Sequence, residues 1–214
     1  SNWGINIKYK IQRKPNGIAE AFLIAKDFLN GHPSVLILGD NIFYGSTLIK
    51  QIKKAYQNFD GATVFAYPVN NPEDYGVVYF EKNLKVKKIE EKPKIPRSKY
   101  AVTGLYFYDE SVVKKAEKVI PSDRGELEIT AINQMYLDEE KLNVEIMSRG
   151  MAWLDTGTFE SLNDASIFIR TVEKRQGLKV GCPEEIAWRS KWINDDKLLK
   201  LSKQYPKSGY GDYL

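Results

Sequence analysis

The stretch Ser34–Gly45, SVLILGDNIFYG, decides the fold class because an apolar run ends there in an acidic residue and a glycine-containing turn. Pro33 and Gly39 bound the run, which is typical of a buried parallel strand. Asp40 then follows the carboxyl end of that strand, where open α/β sheets place their functional side chains. The alternative is that Asp40 caps the next helix, but the apolar helix pattern begins only near Leu48.

Strands and helices alternate around this stretch. Before it, helical spacing predicts a helix that opens at Asn16 or Gly17 and stops at Gly31, preceded by an alternating strand over residues 5–11. After it, residues 62–69 predict another strand. The helix between them carries one apolar face, made of Leu48, Ile52, Ala55 and Phe59. The order βαβαβ predicts a parallel sheet that is covered on both sides.

The second half of the chain predicts a mixed sheet and further helices. Residues 76–81 and 85–90 alternate as a hairpin that turns at Lys82 and Asn83. Further strands are expected over residues 100–108, 144–147 and 152–154, and helices over residues 111–119, 128–137, 159–175, 184–192 and 196–204. Thr158 is a plausible cap for the longest of these helices. We expect an α/β domain over residues 1–181 and a helical extension of the same domain over residues 182–214.

Composition narrows the function classes. Lys and Arg exceed Asp and Glu only slightly, 32 to 28, and the charges are interspersed. We therefore expect no nucleic-acid stripe and no membrane-binding patch, and a small acidic ligand in a local pocket fits better. Cys182 is the only cysteine, which excludes an intrachain disulfide and a cysteine-rich zinc site. Without a long apolar segment or a signal-peptide pattern, the expected location is the cytoplasm.

Acidic residues stand at the ends of several predicted strands. Asp40 and Asp155 each follow an apolar strand and precede an Asn or Gly turn, and Glu91 ends the strand before KP. Two distant segments could therefore bring carboxylates together at one edge of a sheet. Two carboxylates, waters and phosphate oxygens are the usual ligands of Mg²⁺ in proteins. The alternative is a set of ordinary exposed aspartates, which are common at strand ends.

Seven segments together resemble a known enzyme family. They are LGDNIFYG, PEDYGVV, EEKP, YAVTGLYFYD, RGELEIT, AWLDTGT and CPEEIA, and in this order and spacing they resemble bacterial and archaeal glucose-1-phosphate thymidylyltransferases. The resemblance covers essentially the whole chain and points to the short, thymidine-specific form. It implies transfer of a thymidylyl group from dTTP to glucose 1-phosphate with release of pyrophosphate, the first step toward dTDP-rhamnose. It also implies Mg²⁺, a Rossmann-like (GT-A-like) nucleotidyltransferase core with a mixed sheet, and a homotetramer.

The resemblance also implies a role for each matching residue. The nucleotide-binding positions are Gln12, Pro15, Gly17, Gly39 and Asp40, and the metal ligands are Asp40 and Asp155, with Lys92 completing the catalytic set. The sugar-phosphate positions are Tyr75, Gly76, Glu91, Lys92, Val102, Tyr106 and Arg124. A second, inhibitory site for a dTDP-sugar is implied at Gly45, Glu185, Ile186 and Arg189.

These residue types suit the implied ligands. Glu91 can accept hydrogen bonds from two sugar hydroxyls, and Lys92 can pair with phosphate oxygens. Each also has a plain alternative: Lys92 as a solvated charge, Glu91 as a hairpin surface residue, Tyr106 as a core aromatic. Trp153 could pack against a sugar, although a core position is favoured, and His32 is expected in a loop.

One departure from the family is large. Members begin with a strand leading into the glycine-rich loop GGxGTRL and then a lysine-bearing segment, and the sequence contains neither. We expect that roughly 60–80 residues, about two βαβ-type units, are absent, so that the chain as given lacks half of the nucleotide site and is incomplete for catalysis on its own. Two other hypotheses therefore stay open. One is a non-catalytic sugar-nucleotide-binding or regulatory module. The other is a glycosyltransferase, although that class requires a DxD-type motif where this chain has LGDN.

Overall fold

The computed structural model describes Trp3, residues 5–57 and residues 60–214. The chain divides into two compact units. The larger spans Lys10–Ala165, and the smaller comprises the first residues through Tyr9 together with Ser166–Leu214. The boundary between residues 181 and 182, which the sequence predicts for the helical extension, stays a prediction.

A six-stranded mixed sheet forms the larger unit, together with a separate two-stranded sheet. The strands are β1 (Ser34–Ile37), β2 (Asn41–Tyr44), β3 (Ala62–Pro68), β4 (Gly76–Phe80), β5 (Val86–Glu91), β6 (Tyr100–Tyr108), β7 (Leu142–Ile146) and β8 (Ala152–Asp155). In the large sheet the order is β5-β4-β6-β3-β7, with β1 also paired to β6. Strands β3 and β7 pair in parallel, and the remaining pairs in the described part of the chain are antiparallel.

Helices cover the sheet and make up most of the smaller unit. They are α1 (Glu20–Ile24), α2 (Lys26–Leu29), α3 (Leu48–Gln57), α4 (Val112–Ala116), α5 (Ile129–Asp138), α6 (Phe159–Gln176), α7 (Pro183–Arg189), α8 (Asp195–Ser202) and α9 (Gly209–Tyr213). A single 3₁₀ turn, Pro72–Asp74, precedes β4. Across the described residues, no helix is both long enough and apolar enough to cross a membrane.

Two apolar clusters pack against the large sheet, one on each face. Successive residues of one strand belong to different clusters, because their side chains point to opposite faces of the sheet. On β3, Val64 packs into a cluster with Tyr108 of β6 and Ile132 of α5. Its neighbour Phe65 packs into the other cluster, which contains Ala55 of α3 and Trp153 of β8. The second cluster therefore ties the small sheet to the large one.

Most predicted elements are confirmed, and so is the α/β class with a mixed sheet and C-terminal helices. Strand β6 has the predicted bounds, β4 and β5 form the expected hairpin, and Thr158 caps α6, because its Oγ1 accepts a hydrogen bond from the Ser161 N–H at 3.1 Å. The short helix α9 is absent from the sequence prediction because its two glycines disfavour helix. Ser208 stabilises its start by accepting a hydrogen bond from the Tyr210 N–H.

Other predictions are wrong. Residues 5–11, all of them described, form no strand, and Tyr9 is 87% exposed. Alternation alone is insufficient, because a strand also needs a neighbour to pair its backbone groups. The first helix begins at Glu20 rather than at Asn16 or Gly17, and it is interrupted at Ala25. Phe59, predicted for the α3 face, lies outside the described residues.

The central strand of the sequence argument, β1, also differs from its prediction. It pairs antiparallel with β6, and Ile37 is 61% exposed rather than buried. Strands β1 and β3 do run in the same direction, but β6 lies between them in the opposite direction. The βαβ pattern therefore gives the strand direction correctly and the strand neighbours incorrectly.

Candidate functional site

A cavity of about 280 Å³, here called the central cavity, lies in the larger unit beyond the end of β1. Eight of the predicted site residues line it: Asp40, Tyr75, Gly76, Glu91, Lys92, Val102, Tyr106 and Asp155. They come from four strands and the loops beside strands, so the fold brings together residues that are up to 115 positions apart in the sequence, the distance from Asp40 to Asp155. One side of the cavity is acidic, and the opposite side carries polar and aromatic residues.

The acidic side is built by the pairing of β2 with β8. Asn41 lies directly opposite Asp155 in this antiparallel pair, which brings Asp40, one residue earlier, to the same end. The backbone oxygen of Asp40 accepts hydrogen bonds from both the N–H and the Oγ1 of Thr156, at 2.9 and 2.8 Å. The two carboxylates, here called the carboxylate pair, therefore face one cavity, as the sequence predicts.

The electrostatics of Asp155 reflect this crowding. Burial raises the pKa of its carboxyl above the ordinary value of 3.8, and the neighbouring negative charge of Asp40 raises it further. A hydrogen bond from the Gly157 N–H and the charge of Lys92 act in the opposite direction. Such a carboxylate gains electrostatically from any cation that enters between it and Asp40.

The opposite side of the cavity is built on the β4–β5 hairpin. Gly76 lies opposite Glu91, and the Glu91 Oε2 accepts a hydrogen bond from the Thr130 Oγ1 at 2.5 Å. A Cβ added to Gly76 would lie 3.0 Å from that hydroxyl and 3.3 Å from that carboxylate oxygen. Glycine at residue 76 therefore leaves room for the Glu91 carboxylate to be oriented by α5.

The Glu91 carboxylate is partly buried, and the groups around it offset only part of the effect of burial on its pKa. Burial raises the pKa of its carboxyl above the ordinary value of 4.5, and Glu128 contributes in the same direction. The hydrogen bond from Thr130 and the charges of Lys92 and Arg124 lower it. Its oxygen Oε1 lies 3.7 Å from Arg124 Nη1, too far for a hydrogen bond, so this oxygen can still accept one from a ligand.

Lys92 connects the two sides of the cavity. Its backbone is in the left-handed region at φ 41°, which is uncommon for a residue with a side chain, and its N–H donates to the Tyr75 carbonyl at 3.0 Å. Its charge lowers the pKa of both Glu91 and Asp155. Strained backbone of this kind is concentrated at functional sites, and here it places a cation between two acidic groups.

Aromatic rings form a wall of the cavity. The rings of Tyr75 and Trp153 meet edge to face with centroids 5.1 Å apart. Trp153 is 8% exposed, so its predicted core position is confirmed, yet it lines the cavity as well. Tyr106 is also buried, and burial raises the pKa of its hydroxyl, with Glu91 and Asp40 adding to the effect. It therefore stays protonated and can donate a hydrogen bond at neutral pH.

Five residues predicted to bind the nucleotide or the sugar phosphate do not line the central cavity: Gln12, Pro15, Gly17, Gly39 and Arg124. The Gln12 Nε2 donates to the Gly17 carbonyl and to the Glu20 carboxylate, at 3.1 and 2.6 Å. Gly17 has φ 106°, and a Cβ there would lie 2.4 Å from the Leu127 carbonyl oxygen. Close backbone packing is thus sufficient to require glycine at residue 17. The nucleotide roles predicted for the first four positions and the sugar-phosphate role predicted for Arg124 stay predictions.

The residues predicted for a second site are found in two places. Glu185, Ile186 and Arg189 lie on α7 in the smaller unit, where the Arg189 Nε donates to the Glu185 Oε1 at 2.7 Å. Gly45 belongs to the larger unit, and a Cβ there would lie 2.3 Å from the Met151 sulfur, so local packing requires a glycine. Their predicted common role is not tested by this geometry.

Several lining residues are missing from the sequence prediction. Asn41, Asp74, Gly104 and Thr130 all line the central cavity. Asn41 follows Asp40 in the segment LGDN, and Thr130 ends the segment RGELEIT. Both residues therefore belong to segments that carry the family resemblance. The sequence pattern does not identify them as site residues, because Asn41 resembles a turn residue and Thr130 an ordinary position in a helix.

Known proteins resemble this chain along its whole length. A family model for nucleotidyl transferases matches residues 1–172. A glucose-1-phosphate thymidylyltransferase of Mycolicibacterium smegmatis is 53% identical over 214 residues, which are 100% of this chain and 74% of that protein. One from Neisseria meningitidis is 50% identical over the same share of each chain.

Solved structures agree with the sequence relatives. A Bacillus anthracis protein assigned as a glucose-1-phosphate thymidylyltransferase, solved in complex with a sucrose, matches with a TM-score of 0.70 and 40% identity, covering 79% of this chain and 67% of that one. A UDP-glucose pyrophosphorylase complexed with UDP-glucose matches with a TM-score of 0.68 at 22% identity, covering 77% of this chain and 66% of that one, and shows likeness of fold alone.

Proposed function

The chain belongs to the glucose-1-phosphate thymidylyltransferase family of nucleotidyl transferases, and from that premise we propose that it transfers a thymidylyl group from dTTP to glucose 1-phosphate. The products are dTDP-glucose and pyrophosphate. The observation that carries the proposal is the central cavity, in which the carboxylate pair lies beside a partly buried glutamate, a lysine and an aromatic wall. This combination suits a sugar attached to a phosphate.

The sugar ring is proposed to bind against the β4–β5 side of the cavity. Glu91 accepts hydrogen bonds from sugar hydroxyls through its free oxygen, while the backbone of Gly76 and Val102 offers further polar groups. Lys92 pairs with the phosphate, and Arg124 contributes positive charge beside Glu91. The ring faces Tyr75 and Trp153, whose edge-to-face contact fixes both side chains.

The carboxylate pair fits a magnesium ion. Asp40 and Asp155 supply two hard oxygen ligands on the same cavity, and Mg²⁺ characteristically keeps the rest of its shell as water and substrate phosphate. Among the described residues no group of three or more His, Cys, Asp and Glu side chains could hold a metal ion, so the proposal rests on these two carboxylates. When bound, the ion would neutralise negative charge on the phosphoryl oxygens.

The reaction proposed is a direct displacement. An oxygen of the glucose 1-phosphate attacks the α-phosphorus of dTTP, the bond to the β-phosphate oxygen breaks, and pyrophosphate leaves. Orientation and charge stabilisation carry such a step, so no protein nucleophile is needed. Lys92 holds the attacking phosphate, and Glu91 fixes the sugar so that the phosphate oxygen points toward the carboxylate pair.

Product analysis tests the proposal. Incubating the protein with dTTP, glucose 1-phosphate and Mg²⁺ should yield dTDP-glucose and pyrophosphate in equal amounts, measured by anion-exchange chromatography. Binding of dTDP-glucose without any pyrophosphate release would contradict the enzyme and favour the non-catalytic sugar-nucleotide-binding module. A parallel series with UTP in place of dTTP measures the base preference.

The pH dependence of sugar-phosphate binding follows from Glu91. Because burial raises its pKa, this carboxyl becomes protonated at a higher pH than an ordinary glutamate and then loses an acceptor oxygen. We expect affinity for glucose 1-phosphate, measured by calorimetry, to fall as the pH drops, beginning above the ordinary carboxyl range. The Glu91→Gln variant should lack this component while keeping the titration of the ligand phosphate. Identical pH profiles for the two proteins would rule Glu91 out as the titrating group.

A second site is proposed on the smaller unit, where a dTDP-sugar would inhibit the enzyme. A cavity of about 1130 Å³ lies along α7 and α8, and Trp188, Arg189 and Trp192 are among its lining residues. Indole rings can stack on a base, and a guanidinium can pair with phosphates. Glu185 and Ile186 precede Arg189 on the same helix.

Replacing Arg189 tests this second site. Arg189→Ala should raise the dTDP-rhamnose concentration for half inhibition about tenfold or more, the cost of a lost charged hydrogen bond, with little change in the uninhibited rate. Lys200→Ala removes an exposed cation of α8 and serves as the control. Inhibition that is purely competitive with dTTP and unaffected by Arg189→Ala would leave no role for a second site.

The proposal extends to the assembly and location that the family resemblance implies. We expect a homotetramer in the cytoplasm. Sedimentation velocity of the purified protein measures the first of these directly.

A further inference from the structure

Asn41 connects three parts of the central cavity through one side-chain amide. Its Nδ2 donates to the Asp40 Oδ1 at 2.9 Å. Its Oδ1 accepts from the Gly104 N–H at 2.9 Å and from the Trp153 Nε1–H at 2.6 Å. The small sheet, the large sheet and a member of the carboxylate pair are therefore joined at a single residue.

The orientation of this amide is fixed by its partners. A backbone N–H and an indole N–H are donors only, so the atom facing Gly104 and Trp153 must be the amide oxygen. The amide nitrogen consequently faces Asp40, whose carboxylate accepts its hydrogen bond. Rotating the amide by half a turn would place donor against donor at Gly104 and Trp153 and acceptor against acceptor at Asp40, so all three bonds would be lost.

Gly104 shows that the large sheet accommodates this contact. It lies within β6, where a glycine weakens a strand because it has no side chain to pack. A Cβ at that position would lie 2.5 Å from the Asn41 Oδ1 and 2.6 Å from its Cγ. The glycine therefore makes room for the Asn41 amide, and its N–H serves as the anchor.

We propose that Asn41 is a positioning residue, which holds the Asp40 carboxylate and the Trp153 ring in the arrangement that metal and sugar phosphate require. The inference rests on the proposed function. Asp40 is an exposed side chain and would otherwise sample several rotamers. One charge-assisted hydrogen bond from an amide anchored at two other points restricts it. Groups that orient metal ligands in this way typically change metal affinity or activity 10–100-fold when removed.

A double-mutant cycle tests the proposal through binding. Mn²⁺, used as a probe for Mg²⁺, is titrated into the wild type, Asn41→Ala, Asp40→Asn and the double variant, with free Mn²⁺ followed by electron paramagnetic resonance. We expect Asn41→Ala to weaken Mn²⁺ binding about tenfold or more in the wild-type background. In the Asp40→Asn background it should have little further effect, because Asn41 acts through Asp40. Equal losses in both backgrounds, or no loss in either, would overturn the proposal.

A second variant covers the case in which Asn41→Ala does not fold. Asn41→Asp keeps an acceptor for Gly104 and Trp153 but replaces the donor to Asp40 with a negatively charged oxygen. We expect a thermal midpoint close to that of the wild type, a KM for glucose 1-phosphate close to the wild-type value, and kcat lowered about tenfold or more. Unchanged kcat in a folded Asn41→Asp protein would overturn the positioning role.

The proposed function and the role of Asn41 can be contradicted separately. A wild-type protein that neither binds Mn²⁺ nor forms dTDP-glucose would remove the proposed function, and the role of Asn41 with it. A wild-type protein that does both, with Asn41 variants that behave additively, would remove the Asn41 role alone.

Discussion

Asp155→Asn should lower kcat by about 10²–10³-fold, the usual effect of losing one preorganised electrostatic contact to the transition state. The substitution keeps the size of the side chain and removes the charge that, with Asp40, faces the central cavity. The folded protein should lose no stability. Because burial and Asp40 raise the pKa of Asp155, its ionised form is disfavoured in the folded state, and a neutral amide removes that disadvantage.

Steady-state assays at saturating Mg²⁺ measure this effect, with thermal unfolding of the same preparations alongside. Asp164→Asn makes the identical chemical change on an exposed position of α6 and should leave the rate unchanged. Near-wild-type turnover of Asp155→Asn would exclude Asp155 from the site. A lower thermal midpoint together with the loss of activity would point to a structural role instead.

Glu91→Ala should weaken glucose 1-phosphate by about 10–100-fold in KM while leaving the KM for dTTP largely unchanged. This range corresponds to the loss of one hydrogen bond to a charged acceptor, which contributes about 1.5–3 kcal/mol. The oxygen that does not bind Thr130 is the one available to sugar hydroxyls. In the proposed arrangement this oxygen binds the sugar and not the base of dTTP, so the KM for dTTP should change little.

Glu90→Ala is the matched control for this prediction. It removes a glutamate from the adjacent position of β5, where the side chain pairs with Lys88 at 2.8 Å and does not line the central cavity. Initial rates measured over a grid of both substrate concentrations separate the two KM values. Equal weakening of both substrates by Glu91→Ala would argue against a sugar-specific role.

The local parts of this fold were predictable because their patterns are short-range. The strand Tyr100–Tyr108 is rich in aromatic and β-branched residues, and the β4–β5 hairpin alternates on both sides of a polar turn. Asp40 and Asp155 were identified for the same reason, since each ends an apolar run. The sequence therefore identified the carboxylate pair by type and position.

The pairing that brings this pair together was not visible in the sequence. Strand β2 has four residues and directly follows a turn, too short for a periodic signal, and its partner β8 is more than a hundred residues away. When that pairing is not known, Asn41 resembles a turn residue, and its contact with Gly104 cannot be predicted. Strand order likewise depends on long-range contacts, so the sequence pattern predicts a parallel strand for β1 although β1 pairs antiparallel with β6.

A crystal structure with glucose 1-phosphate and Mn²⁺, phased with the anomalous signal of the manganese, tests the central claim most directly. We expect one strong anomalous peak between the carboxylates of Asp40 and Asp155. We also expect the sugar ring on the β4–β5 side of the central cavity, with a hydroxyl donating to Glu91 and the phosphate beside Lys92. A manganese peak bound to neither aspartate, or a glucose 1-phosphate molecule bound outside this cavity, would contradict the central claim.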